Sequence, residues 1–276
     1  MLHSAPMSNS PALDVKLRAP AIEGAQTVDR ACELLRAVAR GGAAGTRIVD
    51  LCAATGLSRP TTHRILRSLA AGGLLRQDEK SRRYTLGPGM FELGLAAPSP
   101  IESFPGVRRV VEELARSTED TVYLMLRSYD DVVCAWRAEG AYPIKANVVA
   151  LGDRRPMGAS AAGICILAGL PEEEAGPLIE SNAPALVRFC KLDAARLRDY
   201  VREARRDGHV FALDLVMEGV AAVGMAVPAA HGRPYLGLSV SAIGARIPAS
   251  RVESLAQALR EATGEIARLT GGAAAG

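Results

Sequence analysis

The stretch from Ser58 to Leu69, SRPTTHRILRSL, sets Arg59, His63, Arg64 and Arg67 around a short apolar stripe of Ile65, Leu66 and Leu69. At 100° per residue, turning the stripe inward points Pro60, Arg64 and Arg67 outward and leaves Thr61, His63 and Ser68 on the flanks. An arginine presented in this way can fork onto the O6 and N7 of guanine. Thr61 is suited to a thymine methyl or a phosphate, and Arg59, near the helix start, to a phosphate. His63 suits a backbone phosphate or a contact between helices. Lys80, Arg82 and Arg83 form a second basic group a short distance downstream. For any one of these side chains a solvated surface is the plainer explanation. The cluster as a whole points to double-stranded DNA.

A second stretch, MGASAAG, starts at Met157 and places Gly158, Ala159 and Ser160 just after Pro156, where a helix begins. Free N–H groups and the Ser160 hydroxyl at such a start can receive a carboxylate, although small residues there also serve close packing of a helix on a sheet. In LSVS, Ser239 and Ser241 alternate with apolar residues and so face one side of a strand, toward either a ligand or solvent. Asp214 suits a ligand hydroxyl or a loop cap. Arg154 and Arg155 suit an anion or the surface, and Trp136 an aromatic ligand or the core.

These groups need elements to hold them. TVDRACELLRAVAR predicts a helix with Val28, Ala31, Leu35 and Val38 on its inner face, Thr27 as N-cap and Gly41-Gly42 as its stop. TRIVDLCAATGL predicts a second helix from Thr46, with Ile48, Val49, Leu51 and Cys52 inward. Ser58 caps a third, which carries Pro60 in its first turn and runs to Gly72-Gly73. LLRQ and RRYTLG, joined by a charged turn, read as a hairpin, and three helices followed by a basic hairpin make a winged helix-turn-helix. The helical pattern at Met90, Phe91 and Leu93 meets Pro98, Pro100 and Pro105, which marks a broken linker.

Beyond the linker, VRRVVEELARST predicts an amphipathic helix and TVYLMLRSYDDVVCAWRAEG two strands. IKANVVALG predicts a strand leading into the helix that begins near Ser160. PEEEAGPLIE and DAARLRDYVREARRDG predict further helices, and GVAAVGMAVPAAHGRPYLGLSVSAI a β-hairpin. The last helix is expected to be capped by Ser250 with Glu253 three residues later. The result is an α+β chain. Its expected divisions are a disordered tail at 1–24, the winged helix-turn-helix at 25–88, the linker at 89–105, an α+β domain at 106–271 and a disordered tail at 272–276.

The charge distribution agrees with this division. From Gln26 to Pro88 eleven basic residues stand against five acids, whereas the whole chain is only +3, so one module is basic and the remainder mildly acidic. No apolar run is long enough for a membrane helix, which suggests a cytoplasmic protein without a membrane partner. The five scattered cysteines form no CxxC pair, so neither a disulfide framework nor a zinc ribbon is indicated, and nothing calls for a cofactor. An enzyme is disfavoured because the four histidines lie far apart, GxSxG, HExxH and Walker patterns are missing, and Cys165 lies in an apolar helix without a nearby base. A DNA-binding oligomer without a sensor role remains a rival reading.

Taken in order, TVDRACELLRAV, GLSRPTTHRILRSLAAGGLLRQDEKSRRYTLGPGMFELG, TVYL, GDRRPMGASAAG, EGVAAVGMAVP and LSVS resemble the IclR family of bacterial transcription regulators, over nearly everything from Gln26 to Thr270. The resemblance implies an N-terminal winged helix that binds a palindromic operator and a C-terminal GAF-like domain that binds a small organic acid, with an aromatic catabolite as one option. It implies a homodimer or homotetramer. It adds Met157, Val220 and Ala222 to Gly158, Ala159, Ser160, Asp214, Ser239 and Ser241 as pocket positions. The chain departs from the family in carrying Gly158 in place of a His, Ile164 in place of a Lys and Ala212 in place of an acid, which implies a smaller, less polar pocket. Prolines 98 and 100 interrupt a linker that the family usually keeps helical.

Overall fold

The computed structural model describes residues 25–96, 106–229 and 232–271. The predicted tails and the linker prolines at 98, 100 and 105 lie outside them. The chain divides into two compact units, with the division falling in the linker region.

In the first unit, α1 (Gln26–Arg40), α2 (Ile48–Thr55) and α3 (Arg59–Ala71) precede the hairpin β1 (Leu75–Gln77) and β2 (Tyr84–Leu86), and α4 (Pro88–Ala96) follows. The hairpin is antiparallel, pairing Leu75 with Leu86 and Gln77 with Tyr84. The core joins Leu34, Ala37 and Val38 of α1, Leu51 of α2, Ile65 and Leu66 of α3, and Leu75 and Tyr84 of the hairpin. Gly56, at φ +67°, ends α2 in the left-handed region, which permits the sharp turn into α3. Ser58 caps α3 as expected, its hydroxyl accepting from Thr61 N–H and Pro60 standing in the first turn.

Four local expectations are corrected. Helix α1 starts at Gln26 after Ala25, so Thr27 lies inside it, and Val28 is 63% exposed while Leu34 carries the inner face. Helix α2 starts at Ile48, because Thr46 pairs with Tyr84 of the hairpin. Val49 is 64% exposed rather than inward.

In the second unit, α5 (Val107–Thr118), β3 (Thr121–Ser128), β4 (Asp131–Glu139), β5 (Arg154–Pro156), α6 (Ala161–Ala168), α7 (Glu172–Cys190), α8 (Ala194–Asp207), β6 (Val210–Leu213), β7 (Val220–Ala226), β8 (Leu236–Ile243) and α9 (Ala249–Leu269) follow in order. The strands form one six-stranded sheet in the order β5-β4-β3-β8-β7-β6, with antiparallel neighbours throughout. Alternation along β3 serves both faces. Tyr123 and Met125 join α6, α7 and α8 in one core, and Val122 and Leu124 join α5 and α9 in the other. On the first face Gly224 and Gly237 let α6 lie close to the sheet, since a Cβ at Gly224 would stand 2.4 Å from the Ala161 carbonyl carbon.

The strand expected in IKANVVALG, residues 144–152, is absent. Side chains meet that segment's backbone groups in place of a neighbouring strand. The Tyr123 hydroxyl donates to Ala146 O, and Arg137 and Arg155 donate to the carbonyls of Val149 and Val148. Strands β5 and β6 are short and carry no alternation that marks them in the sequence. Helix α7 runs on through Pro177 and Pro184, and α9 begins after Pro248 without a side-chain cap, so Ser250 lies within the helix. Among the described residues no helix is long and apolar enough to cross a membrane.

Candidate functional site

The first unit presents α3 outward. Arg59, Pro60, His63, Arg64, Arg67 and Ser68 are exposed, and Thr62, Ile65 and Leu66 are buried. Thr62 belongs to the inner face because its hydroxyl is occupied, donating to Ser58 O at 3.1 Å and accepting from Cys52 Sγ at 3.4 Å. Thr61 is half-buried, and its Oγ1 is 2.9 Å from Ser58 Oγ. It therefore shares its hydroxyl with the cap. Arg64 and Arg67 stand on the same exposed side, three residues apart.

Lys80 and Arg82 are exposed at the tip of the hairpin, which Asp78 organises. Asp78 Oδ1 accepts from Ser81 N–H at 2.7 Å and from Ser81 Oγ at 2.8 Å. These bonds hold the Asp78 carboxyl below its ordinary pKa. Arg83 differs from its neighbours, because its guanidinium donates to Gly45 O at 2.8 Å and ties the hairpin back to the loop before α2.

In the second unit, a cavity of about 440 Å³ including its mouth lies between the sheet, the start of α6, the 144–150 segment and the loop after β6. The cavity brings together five of the expected residues, Ser160, Val220, Ala222, Ser239 and Ser241. The strand register explains why the two serines share a wall, since Ser239 lies opposite Tyr123 and Gly224, and Ser241 opposite Thr121 and Ala222. Ser239 and Ser241 are buried, and Ser160 caps α6 by accepting from Gly163 N–H at 3.0 Å.

The other four expected residues do not line this cavity. Met157 and Ala159 are wholly buried in the core behind it. Gly158, at φ +106°, is packed so that a Cβ would meet the Leu197 and Leu186 side chains at 3.0 and 3.1 Å, so a larger residue would strain the backbone and press those side chains aside. Asp214 is exposed and caps its own loop, accepting from Gly219 N–H at 2.6 Å. Nor do Arg154 and Arg155 reach the cavity. Arg154 pairs with Asp131 at 3.3 Å and donates to Ser128, while Arg155 lies 4.8 Å over the Phe189 ring. Trp136 packs on the opposite face of the sheet, beneath the Arg108 guanidinium at 4.3 Å.

Tyr123, Met125, Val148, Val149, Ala161, Ala212, Leu215 and Val216 complete the wall; of these only Ala212, where the family carries an acid, was singled out from the sequence. Tyr123 is the most informative of them. Its hydroxyl donates to Ala146 O at 2.5 Å and accepts from Val148 N–H at 3.1 Å, which pins the segment that closes the cavity. Burial raises the pKa of this hydroxyl and keeps it a donor. A Tyr inside the otherwise apolar run TVYLML was the available signal, because a buried hydroxyl needs partners. Tyr123→Phe is expected to cost about 1–3 kcal/mol in urea unfolding, the penalty for leaving buried backbone groups unmatched. A loss within experimental error would show that the segment is held by other contacts.

The wall carries three serine hydroxyls and one phenol among apolar groups, and no ionised side chain. Nucleophilic chemistry is not supported here. The Cys165 thiol donates to Gly224 O at 3.1 Å, and burial pushes its pKa up to about 12. Among the described residues no cluster of His, Cys, Asp and Glu is arranged to hold a metal ion.

Comparison with known proteins agrees with both halves. Residues 27–79 match the family model for the IclR helix-turn-helix domain, and residues 104–268 match that for the C-terminal domain of the bacterial transcriptional regulator IclR. The chain is 25% identical to the HTH-type transcriptional regulator KipR of Bacillus subtilis over 80% of its own length and 88% of that protein's. It is 25% identical to the acetate operon repressor of Salmonella typhimurium over 92% and 93%. An IclR regulator of solved structure from Alicyclobacillus acidocaldarius has the same fold, with a TM-score of 0.66 and 23% identity across 89% of this chain and 98% of that one.

Proposed function

Because the chain belongs to the IclR family of bacterial transcription regulators, DNA-binding proteins rather than enzymes, we propose that α3 reads a palindromic operator while the second-unit cavity binds a small organic acid that modulates this binding. The observation that carries the DNA half is the outward placement of Arg64 and Arg67 on a capped, core-anchored helix. A rigid helix lets two guanidinium forks approach base edges in the major groove. Arg59, Thr61, His63, Lys80, Arg82 and Arg83 flank it and serve the phosphates, with Arg83 acting chiefly through the fold.

Two copies suit this role. Phe91, Leu93 and Leu95 of α4 are 61–71% exposed, an apolar surface that a second copy of the chain would cover. A symmetric pair reads two half-sites spaced by about one helical turn or a multiple of it.

For the ligand, the start of α6 offers backbone N–H groups to a carboxylate, with Ser160, Ser239 and Ser241 as hydroxyl partners and Val220, Ala222 and Met125 as apolar walls. Thr121 Oγ1, across the strand pair from Ser241, is buried without a hydrogen-bond partner among the described residues. The three serine hydroxyls and the Tyr123 phenol among apolar walls fit an acid with a compact hydrocarbon body. The ligand acts by favouring one of two spacings of the paired winged helices.

Acetate, pyruvate, benzoate and phenylacetate test the ligand half by thermal unfolding of the full chain. One of them at 100 times its Kd is expected to stabilise the protein by about 2.7 kcal/mol. Ser239→Ala should weaken its binding roughly five- to tenfold by removing one hydrogen bond. If none of the acids shifts the transition, the sensor reading fails and a DNA-binding oligomer without ligand control takes its place.

A further inference from the structure

Two arginines are buried among the described residues, and they are matched differently. Arg127, 5% exposed, pairs with Glu174 at 2.6 Å. Arg155, 9% exposed on β5 opposite Val132 of β4, makes no ion pair among the described residues. Its guanidinium donates to Val148 O and lies 4.8 Å over the Phe189 ring. Neither partner neutralises the charge or uses the planar fork of N–H donors. Asp153, two residues before it, turns its carboxylate to the Ala150 N–H at 2.8 Å. Burial lowers the Arg155 pKa, as expected for a cation held out of water. A buried charge without a counter-ion costs stability that an apolar side chain of similar size would restore.

Val148 stands between Arg155 and the cavity. It lines the wall, its N–H bonds the Tyr123 hydroxyl and its carbonyl takes the Arg155 donor. The guanidinium therefore lies one residue behind the wall, beyond a segment that no strand partner holds. Releasing Val148 O gives up a bond to a neutral carbonyl, whereas a carboxylate in its place neutralises the buried charge and accepts both arms of the fork. We propose that Arg155 is a second anion-recognition point of this cavity and that the ligand is a dicarboxylic acid, with one carboxylate at the α6 start and the other on Arg155 in exchange for Val148 O. The spacing of the two carboxylates then selects among such acids, and the 144–150 segment moves when a fitting one binds. This rests on the acid-binding reading above and deepens it, making the ligand a dianion and naming the residue that reads its second charge.

The test is a calorimetric titration of the full chain and its Arg155→Met and Arg155→Lys variants with matched acids. Succinate, glutarate, adipate and phthalate are each set against the monoacid in which a methyl group replaces one carboxylate: butyrate, valerate, hexanoate and ortho-toluate. At least one diacid should bind the wild type about tenfold or more tighter than its monoacid, the factor expected for a charge-assisted pair. Arg155→Met should remove that advantage, and Arg155→Lys, which keeps the charge without the fork, should retain part of it. Without ligand, Arg155→Met should melt at or above the wild-type temperature, because it relieves an uncompensated charge. A fall of more than about 5 °C would instead make Arg155 a structural tie for the segment and overturn the proposal. Monoacid binding with no diacid tighter, or a diacid advantage that survives Arg155→Met, would overturn it as well. If no acid of either kind binds, the acid-binding reading itself fails and the proposal falls with it.

Discussion

Replacing Arg64 and Arg67 together with alanine is expected to abolish operator preference while leaving the fold intact. Each bidentate arginine contributes about 1–3 kcal/mol of base discrimination, so the pair together should cost at least about thirtyfold in the ratio of operator to scrambled-duplex affinity. Both side chains are exposed on α3, and the residues that anchor the helix, Thr62, Ile65 and Leu66, are untouched. Alanine also favours the helix, so urea unfolding should move by no more than about 0.5 kcal/mol. Residual binding should persist, weak and indifferent to sequence, because the phosphate contacts remain. A double variant that still discriminates operator from scrambled DNA would place the reading head elsewhere.

Gly224→Val should have the largest effect on the second unit. The added Cβ would fall 2.4 Å from the Ala161 carbonyl carbon and 2.6 Å from Ala162 N, both backbone atoms of the helix start that borders the cavity. No rotamer relieves such a contact, so α6 must shift away from the sheet and the cavity must change shape. Overpacking against backbone lies at the upper end of the usual range, about 3 kcal/mol or more, which in a unit of this size lowers the melting temperature by roughly 6–12 °C. Binding of any stabilising acid should disappear with it. Gly264→Ala is the matched control, since a Cβ at Gly264, inside α9, meets nothing within 4 Å. It should be neutral or slightly stabilising. Equal melting temperatures for the two variants would contradict the close approach of α6 to the sheet.

The parts of the site that were legible in the sequence are those that depend on local pattern. Ser58 followed by Pro60 marked the start of α3, the glycine pair at 72 and 73 its end, and the alternation in LSVS placed Ser239 and Ser241 on one wall. Tertiary placement was less legible. Val28 and Val49 are apolar residues at near-helical spacing, and pattern alone cannot tell an inward valine from one that faces outward. Ile144–Val149 has strand composition, but its backbone partners are the side chains of Tyr123, Arg137 and Arg155, which come from other parts of the chain. Met157, Gly158 and Ala159 stand beside Ser160 in the sequence, yet the backbone turn at Gly158 sends them into the core while Ser160 reaches the cavity.

The most direct measurement is a fluorescence anisotropy titration of the full chain against the duplex preceding its own coding sequence and against a scrambled duplex, at about 50 and 200 mM salt. The expected result is binding to the first duplex at least about a thousandfold tighter than to the second, with both weakening steeply at the higher salt. Equal affinity for the two duplexes, or no binding to either at the lower salt, would contradict sequence-specific recognition by α3.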